Sequence, residues 1–259
     1  MAKIGLKYMA WSRIKEEPAT GAVVYEKGKV LGKAIATNLV VSNAEGELYG
    51  DDALAEYVAE FSSADFTADV DNMELADQAE LYGATFDEER GLQHYGSDNA
   101  PYGGIGGYQS LMVHGVRKYR VWFLAKVKAA IPDETGATKA GSISFGTQPI
   151  KMKAMEPNHG PWKIVKEFST ETAAQAFVDM LLNVAVWHSV QVQAQGETSL
   201  AFARPQGVFA VAAGEDFTLD IAGDPMALYD NGEDQLLAVE EGKYKVAGVA
   251  ENHRIAVIF

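Results

Sequence analysis

The stretch Tyr102 to Lys128, YGGIGGYQSLMVHGVRKYRVWFLAKVK, decides the fold class. In its second half Tyr119, Val121, Phe123, Ala125 and Val127 alternate with Arg120, Trp122, Leu124, Lys126 and Lys128. A period of two places successive side chains on opposite faces of a pleated strand. His114-Gly115 supplies a turn, so Tyr102 to Val113 and Tyr119 to Lys128 predict an antiparallel hairpin. The cluster Gly103, Gly104, Gly106 and Gly107 fits neither the GxGxxG nor the GxxxxGKS/T pattern of a phosphate loop, and no helix follows it. Glycines inside a strand mark a bulge or a close backbone approach, and that reading is adopted here.

Working towards the start, Ile4 to Trp11 is a strand, and Lys29 to Val41 is a second one rich in Val, Ile and Leu. Asn43-Ala44-Glu45-Gly46 reads as a turn, and Glu47 to Gly50 as a short strand that ends at Asp51-Asp52. From Asp51 to Phe61 the residues Leu54, Tyr57, Val58 and Phe61 have helical spacing, yet an extended loop fits equally well. A helix is predicted from Asp71, with Asp71 and Glu74 as a capping box, Leu75, Ala79 and Tyr82 on one face, and Gly83 closing it.

Towards the end, a strand near Ile143 to Phe145 continues to Met155, with Pro149 marking an edge or bulge. A second helix runs from Glu171 to about Asn183, capped by Ser169 or Thr170, with Ala174, Phe177, Val178, Leu181 and Leu182 as its apolar stripe. After Val184 short strands recur, such as Phe217 to Ile221 and Ile255 to Phe259. Turns at Ala213 to Asp216, Gly223-Asp224-Pro225 and Asp230-Asn231-Gly232 separate them. That is the pattern of a small all-β module of the sandwich sort. The expectation is a mainly β (α+β) chain with a larger domain over 1–185 and a small one over 186–259.

The 259 residues are 47% hydrophobic and 22% charged, a mixture that folds rather than stays disordered. The absence of cysteine rules out disulfides, thiolate zinc sites and cysteine nucleophiles. No run approaches the ~20 apolar residues that span a bilayer. The start lacks the apolar core of a signal peptide, so synthesis and folding in the cytoplasm are expected. The formal net charge is −14, divided as −11 over residues 1–100, +4 over 101–150 and −7 over 186–259. Such a chain repels phosphate at long range, which argues against tight non-specific DNA binding.

Motifs for chemistry are missing. His94, His114, His159, His188 and His253 are scattered without ligand spacing, so no metal site is expected. There is no GxSxG elbow, and the acidic pairs Asp51-Asp52, Glu88-Glu89 and Glu240-Glu241 read as exposed turns rather than a glycosidase pair. No catalytic residue and no cofactor is expected. The one concentration of positive charge is Arg117, Lys118 and Arg120, with Lys126 and Lys128. Alternation is taken to send these side chains to one strand face, where an acidic neighbour would pair with them. An acidic and a basic surface in one chain suit self-association.

Five strings in order resemble the major tail tube protein family of long, non-contractile-tailed bacteriophages. They are Lys3 to Tyr8, Gly28 to Ile35, Glu47 to Glu56, Ala100 to Gly104 and Gly115 to Arg120, and the resemblance covers roughly residues 3–182. It implies a β-sandwich core with a flanking helix, in a structural subunit that is not an enzyme. It implies self-assembly into stacked, hexameric rings forming a tube that conducts double-stranded DNA without binding it specifically. Part of the acidic surplus would face that channel. Further partners so implied are the tape measure, tail tip and tail terminator proteins, and the location implied is the virion tail, with no membrane. The segment Tyr49 to Phe61 corresponds to a loop reaching an adjoining ring. The residues expected between subunits are therefore Tyr49, Asp51, Asp52, Leu54 and Tyr57, together with Arg117, Lys118 and Arg120. The region after residue 185 looks like the immunoglobulin-like modules appended to phage structural proteins. The competing expectation is a cell-surface or carbohydrate-binding β protein that acts through that module.

Overall fold

The structure, a computed structural model, describes residues 2–51, 53–131, 147–195, 207–221 and 223–259. Strand takes 59% of the described residues and helix 10%, so the class is mainly β. The chain divides into two compact units, Met1–Val184 and Ala185–Phe259.

Unit 1 contains β1 (Ala2–Glu16), β2 (Val24–Tyr25), β3 (Lys29–Val30), β4 (Ala34–Gly50), β5 (Ala53–Val70), α1 (Leu75–Tyr82), β6 (Thr85–Asp87), β7 (Gly91–Gln93), β8 (Tyr102–Val113), β9 (Val116–Ala130), β10 (Gln148–Ala154), β11 (Lys163–Phe168) and α2 (Glu171–Leu182). Nine of these strands form one antiparallel sheet in the order β2-β1-β8-β9-β10-β5-β4, with β3 added to β1 and β11 to β9; β6 and β7 form a separate hairpin. The expected hairpin is present as β8 and β9, turning at His114 and Gly115, both with positive φ.

One sheet makes two walls because β9 belongs to both. Between Gly103↔Val127 and Ile105↔Leu124 the register shifts, so β9 carries one extra residue there. A bulge bends the strand and exchanges its faces. Before it, Val121, Phe123 and Ala125 pack against Ala174, Val178 and Leu182 of α2. Beyond it, Val127 turns into the main core with Met9, Trp11, Phe66, Ile105 and Met152. The Phe66 ring of β5 meets the Trp122 ring of β9 at 5.2 Å, although β10 separates the two strands in sheet order. The sheet has therefore curled until β4, β5 and β10 face β1, β8 and β9 across the core.

The glycine cluster serves close approach. A Cβ on Gly103 would press on the Trp11 indole nitrogen and lie 2.6 Å from the Ser12 carbonyl oxygen; one on Gly104 would lie 2.7 Å from the Tyr25 ring. The α2 stripe is buried as its periodicity predicts at Ala174, Val178 and Leu182, with Phe177 and Leu181 half-buried. Thr170 caps the helix by accepting the Ala173 N–H at 3.3 Å, and Asn183 closes it at φ 52°. Its one buried carboxylate, Asp179, accepts a hydrogen bond from the Tyr8 hydroxyl at 2.5 Å. Burial and that carboxylate push the Tyr8 hydroxyl well above the usual phenol range.

Four expectations need correction. The strand read over Lys29 to Val41 breaks at Gly32, whose φ of 113° excludes a side chain and which lies against the Asn72 carbonyl. Asn43 to Gly46 is not a turn: β4 runs through it to Gly50. The segment Asp51 to Phe61 is neither helix nor loop, because Ala53 onward is β5. The first helix begins at Leu75, and Asp71 does not cap it. The Asp71 carboxylate instead accepts the backbone N–H groups of Lys33 and Asn72, both at 2.8 Å, tying the base of β4 to the end of β5. The strand expected at Ile143 to Phe145 lies outside the described residues, while Pro149 pairs with Asp69 of β5 and precedes the stretch of β10 that pairs with β9, so one side of it is an edge, as proline prefers.

Unit 2 contains β12 (Trp187–Gln195), β13 (Gly207–Ala212), β14 (Phe217–Asp220), β15 (Ala227–Asp230), β16 (Glu233–Asp234), β17 (Lys243–Val246) and β18 (His253–Ile258). Five form a sheet in the order β13-β12-β18-β15-β16, in which β12 and β18 run parallel; β14 and β17 pair separately. Val190, Val192, Leu228, Ile255 and Val257 of the larger sheet share a core with Phe217, Leu219, Tyr244 and Val246 of the smaller pair.

Replacing Gly103 by alanine should destabilise unit 1 by about 2 kcal/mol or more, because backbone and indole neighbours cannot yield cheaply. Urea unfolding of the variant measures this, and a change below about 0.5 kcal/mol would show that β1 and β8 separate freely.

Candidate assembly surface

The two longest strands, β4 and β5, share a long exposed stretch. Every described side chain from Val40 to Glu60 is exposed, including Leu48 at 60%, Tyr49 at 64% and Leu54 at 52%. Pairing with the rest of the sheet ends at Ala64↔Ala154, and past that row β4 and β5 pair only with each other, from Ser42↔Ser63 to Gly50↔Ala53. The result is a two-stranded arm about 25 Å long by strand rise. Asp51, at φ 49°, makes its turn; Asp52 lies outside the described residues.

Register assigns the arm's faces. Phe61, Tyr57, Leu54 and Tyr49, with Glu45 and Glu47, continue the face that inside the body carries Ala64 and Phe66. Phe61 is the last to find a partner in the subunit, stacking on Trp162 at 4.0 Å between ring centres. Tyr49 donates to Glu47 at 2.8 Å, a contact that raises its hydroxyl pKa. The arm's charge is purely acidic: Glu45, Glu47, Asp51, Asp52, Glu56 and Glu60, with no Lys or Arg from Ala34 to Val70.

The outer edge of β4 is open. Among the described residues its backbone pairs with β5 alone, along a strand of 17 residues. A long unpaired edge is a template for another chain, and proteins blunt such edges with Lys, Pro, bulges or a cover. Between Ala34 and Gly50 there is no Lys, Arg or Pro. The two bulges of the arm, at Ala55 and Ser62, sit in β5, so β4 runs unbroken from Ala36.

The basic stretch lies on a separate hairpin, at the start of β9. Alternation splits it, contrary to the single face expected. Lys118 and Arg120 share a face, whereas Arg117 points to the α2 side, where it acts on Glu171 beside Lys7. The acidic neighbour is Glu167 of β11, directly opposite Arg120 in register. Arg120 binds it at 2.6 Å and Lys118 stands at 4.0 Å; Arg120 first, and these charges together, hold the Glu167 carboxyl below its usual pKa. Beside this pair a cavity of about 350 Å³ opens between the walls, lined by Leu39, Phe66, Trp122, Lys163 and Val165 among others. Among the described residues the buried Trp122 indole N–H has no hydrogen-bond partner.

Sequence reasoning missed the open edge itself, because an edge is a property of pairing and leaves no motif. It also missed the buried trio of unit 2, in which Asp230 accepts from the Tyr244 hydroxyl at 2.9 Å and meets His253 Nδ1 at 2.8 Å. Among the described residues no hydroxyl other than that phenol is hydrogen-bonded to Asp230 or His253, and the trio fixes the turn where Asn231 takes φ 51°. Among the described residues no group of three or more His, Asp or Glu gathers as metal ligands, and no helix is long and apolar enough to cross a membrane. The chain matches no protein-family model and no curated protein.

Removing the arm symmetrically should spare the fold. With Glu45 to Ala59 replaced by a two-residue turn that keeps the Ala44↔Glu60 pair, unit 1 should melt within about 5 °C of the parent, since no arm residue beyond Phe61 packs on the body. Calorimetry decides it, and collapse of the transition would show that the arm supports the core.

Proposed function

We propose that this chain is a structural subunit of a phage tail tube, joining copies of itself into stacked rings that enclose a channel for DNA. The observation that carries the reading is the open, unblunted edge of β4, prolonged into an arm that buries nothing in its own subunit. A monomeric protein that exposed such an edge would aggregate; a subunit whose edges close into a ring turns the same hazard into its joint. The β-sandwich with a flanking helix fits unit 1, where α2 covers one wall and leaves the outer face of β4, β5 and β10 bare. The resemblance of the five sequence strings adds the identity of the assembly, with hexameric rings and with tape measure, tip and terminator proteins as partners. Unit 2, with its two packed sheets and parallel first and last strands, fits an immunoglobulin-like decoration. Nothing in this role calls for catalysis.

Electron microscopy of the purified chain over a rising concentration series tests the proposal. Hollow tubes or closed rings of uniform diameter are the expected outcome; particles that stay single at millimolar concentration would exclude a self-assembling role.

One surface favours a second reading, a saccharide-binding module. Gln191, Gln193 and Arg254 line a shallow groove floored by Ala256 on the outer face of the larger sheet of unit 2. Tyr229 stands next to Ala256 in register and is 37% exposed. Planar amides, a guanidinium and an exposed ring are the groups that hold sugar hydroxyls and stack on pyranose faces. A glycan array probed with the full chain and with Arg254→Ala should show binding lost in the variant, and equal signals from both would remove this reading.

A further inference from the structure

Unit 1 has a second open edge. Strand β11 pairs with β9 on one side, Lys163↔Leu124 through Phe168↔Tyr119, and with nothing on the other among the described residues. Its six residues can pair with six of the nine in the arm portion of β4, Ser42 to Gly50. We infer that the arm edge of β4 in one copy pairs with the free edge of β11 in a second copy, so that a sheet runs continuously from one subunit into the next. The inference rests on the tube-subunit reading and specifies its joint.

The chemistry of the two edges matches once their faces are aligned. A continued sheet keeps core-side residues on one side. On that side the β4 arm presents Glu45, Glu47 and Tyr49. On the same side β11 presents Lys163, Val165 and Glu167, with Lys118 and Arg120 of β9 directly behind. Glu167 is shared by Arg120 at 2.6 Å and Lys118 at 4.0 Å, so with Lys163 this side carries three cations against one carboxylate, a surplus of positive charge for the two glutamates. Val165, 51% exposed, is the apolar residue between them and faces the open tyrosine side of the arm. Backbone groups on both edges gain partners, and opposite charges on neighbouring strands favour this pairing over β4 against β4, which would oppose glutamates to glutamates. Because the arm and β11 are different surfaces, the contact is heterologous and propagates from copy to copy until it closes.

Charge exchange tests it. Glu45→Lys with Glu47→Lys, and separately Lys118→Glu with Lys163→Glu, should each raise the concentration needed for assembly by at least about tenfold, and the four changes in one chain should restore it to within about threefold of the parent. Circular dichroism and melting establish that each variant folds. If the parent assembles while the single-side variants assemble equally well, or while the folded four-change chain fails to recover, the joint is wrong and the tube reading stands. The chain has no cysteine, so a second arm is free of background: Glu47→Cys with Val165→Cys, treated with a short bis-maleimide. A ladder of covalent oligomers is expected even where no tubes form. A parent that never assembles sinks the tube reading, and only the absence of the ladder then sinks the joint as well.

Discussion

Backbone amides and carbonyls demand partners, and in this protein that demand is left open along β4. A strand of 17 residues pairs on one side and offers its other side to whatever approaches. Water satisfies those groups in the isolated subunit, so the open edge costs little there. It gives a neighbouring strand a regular ladder to complete, while the arm's exposed tyrosines and leucines supply area to bury. The rest of unit 1 can be understood as the means of holding that edge straight. Asp71 ties the base of β4 to the end of β5, and both arm bulges fall in β5 so that β4 stays regular. The core face of the body anchors the arm through Phe61 on Trp162.

A single sheet builds both walls of unit 1, and the bulge in β9 is what allows it. Without the extra residue near Ala125, Val127 would stay on the face occupied by Phe123 and point at α2 rather than into the main core. The glycines of β8 belong to the same corner. Gly103 and Gly104 let β1 and the Tyr25 ring approach at distances no Cβ permits, so the strand opposite the bulge can bend with it. The buried Tyr8–Asp179 pair then sets how α2 lies on this wall, since an unpaired carboxylate there would be costly.

Much of this was legible in the sequence, and the failures have physical causes. The β8–β9 hairpin was readable because alternation persists on both sides of an unambiguous turn. The arm was not, because its bulges counterfeit another period. Leu54, Tyr57 and Phe61 stand three and four residues apart, which is helical spacing, yet all three share one face of β5. The extra residue Ala55 shifts Leu54 onto the face of Tyr57. Asn43 to Gly46 has turn composition and lies in a strand, since pairing with Phe61 to Val58 overrides local preference when each residue has an opposite number. The Asp71 to Glu74 motif matches a capping box, but Asp71 was claimed by backbone donors from Lys33, which is distant in sequence and invisible to a local pattern. Of the candidate contact residues, those on the arm followed from the family resemblance alone; that Tyr49, Leu54 and Tyr57 are exposed on one face required the β4–β5 register. That Lys118 and Arg120 share Glu167 required the β9–β11 register.

The overall charge of −14 opposes the proposed assembly at long range, but repulsion and strand pairing act over different distances. Repulsion between whole subunits is a sum over well-separated charges, and at physiological ionic strength it is screened beyond roughly 8 Å. Strand pairing acts at about 5 Å, inside that length, where local charges and backbone dipoles are poorly screened. An acidic subunit whose cations concentrate in one region therefore resists indiscriminate association without opposing the proposed joint, in which glutamates meet lysines. Acidity is compatible with the self-association proposed above, because the cations of β9 and β11 lie beside a strand edge and β4 carries none. In the proposed joint the same distribution would select a direction, because an acidic edge gains nothing from a second acidic edge.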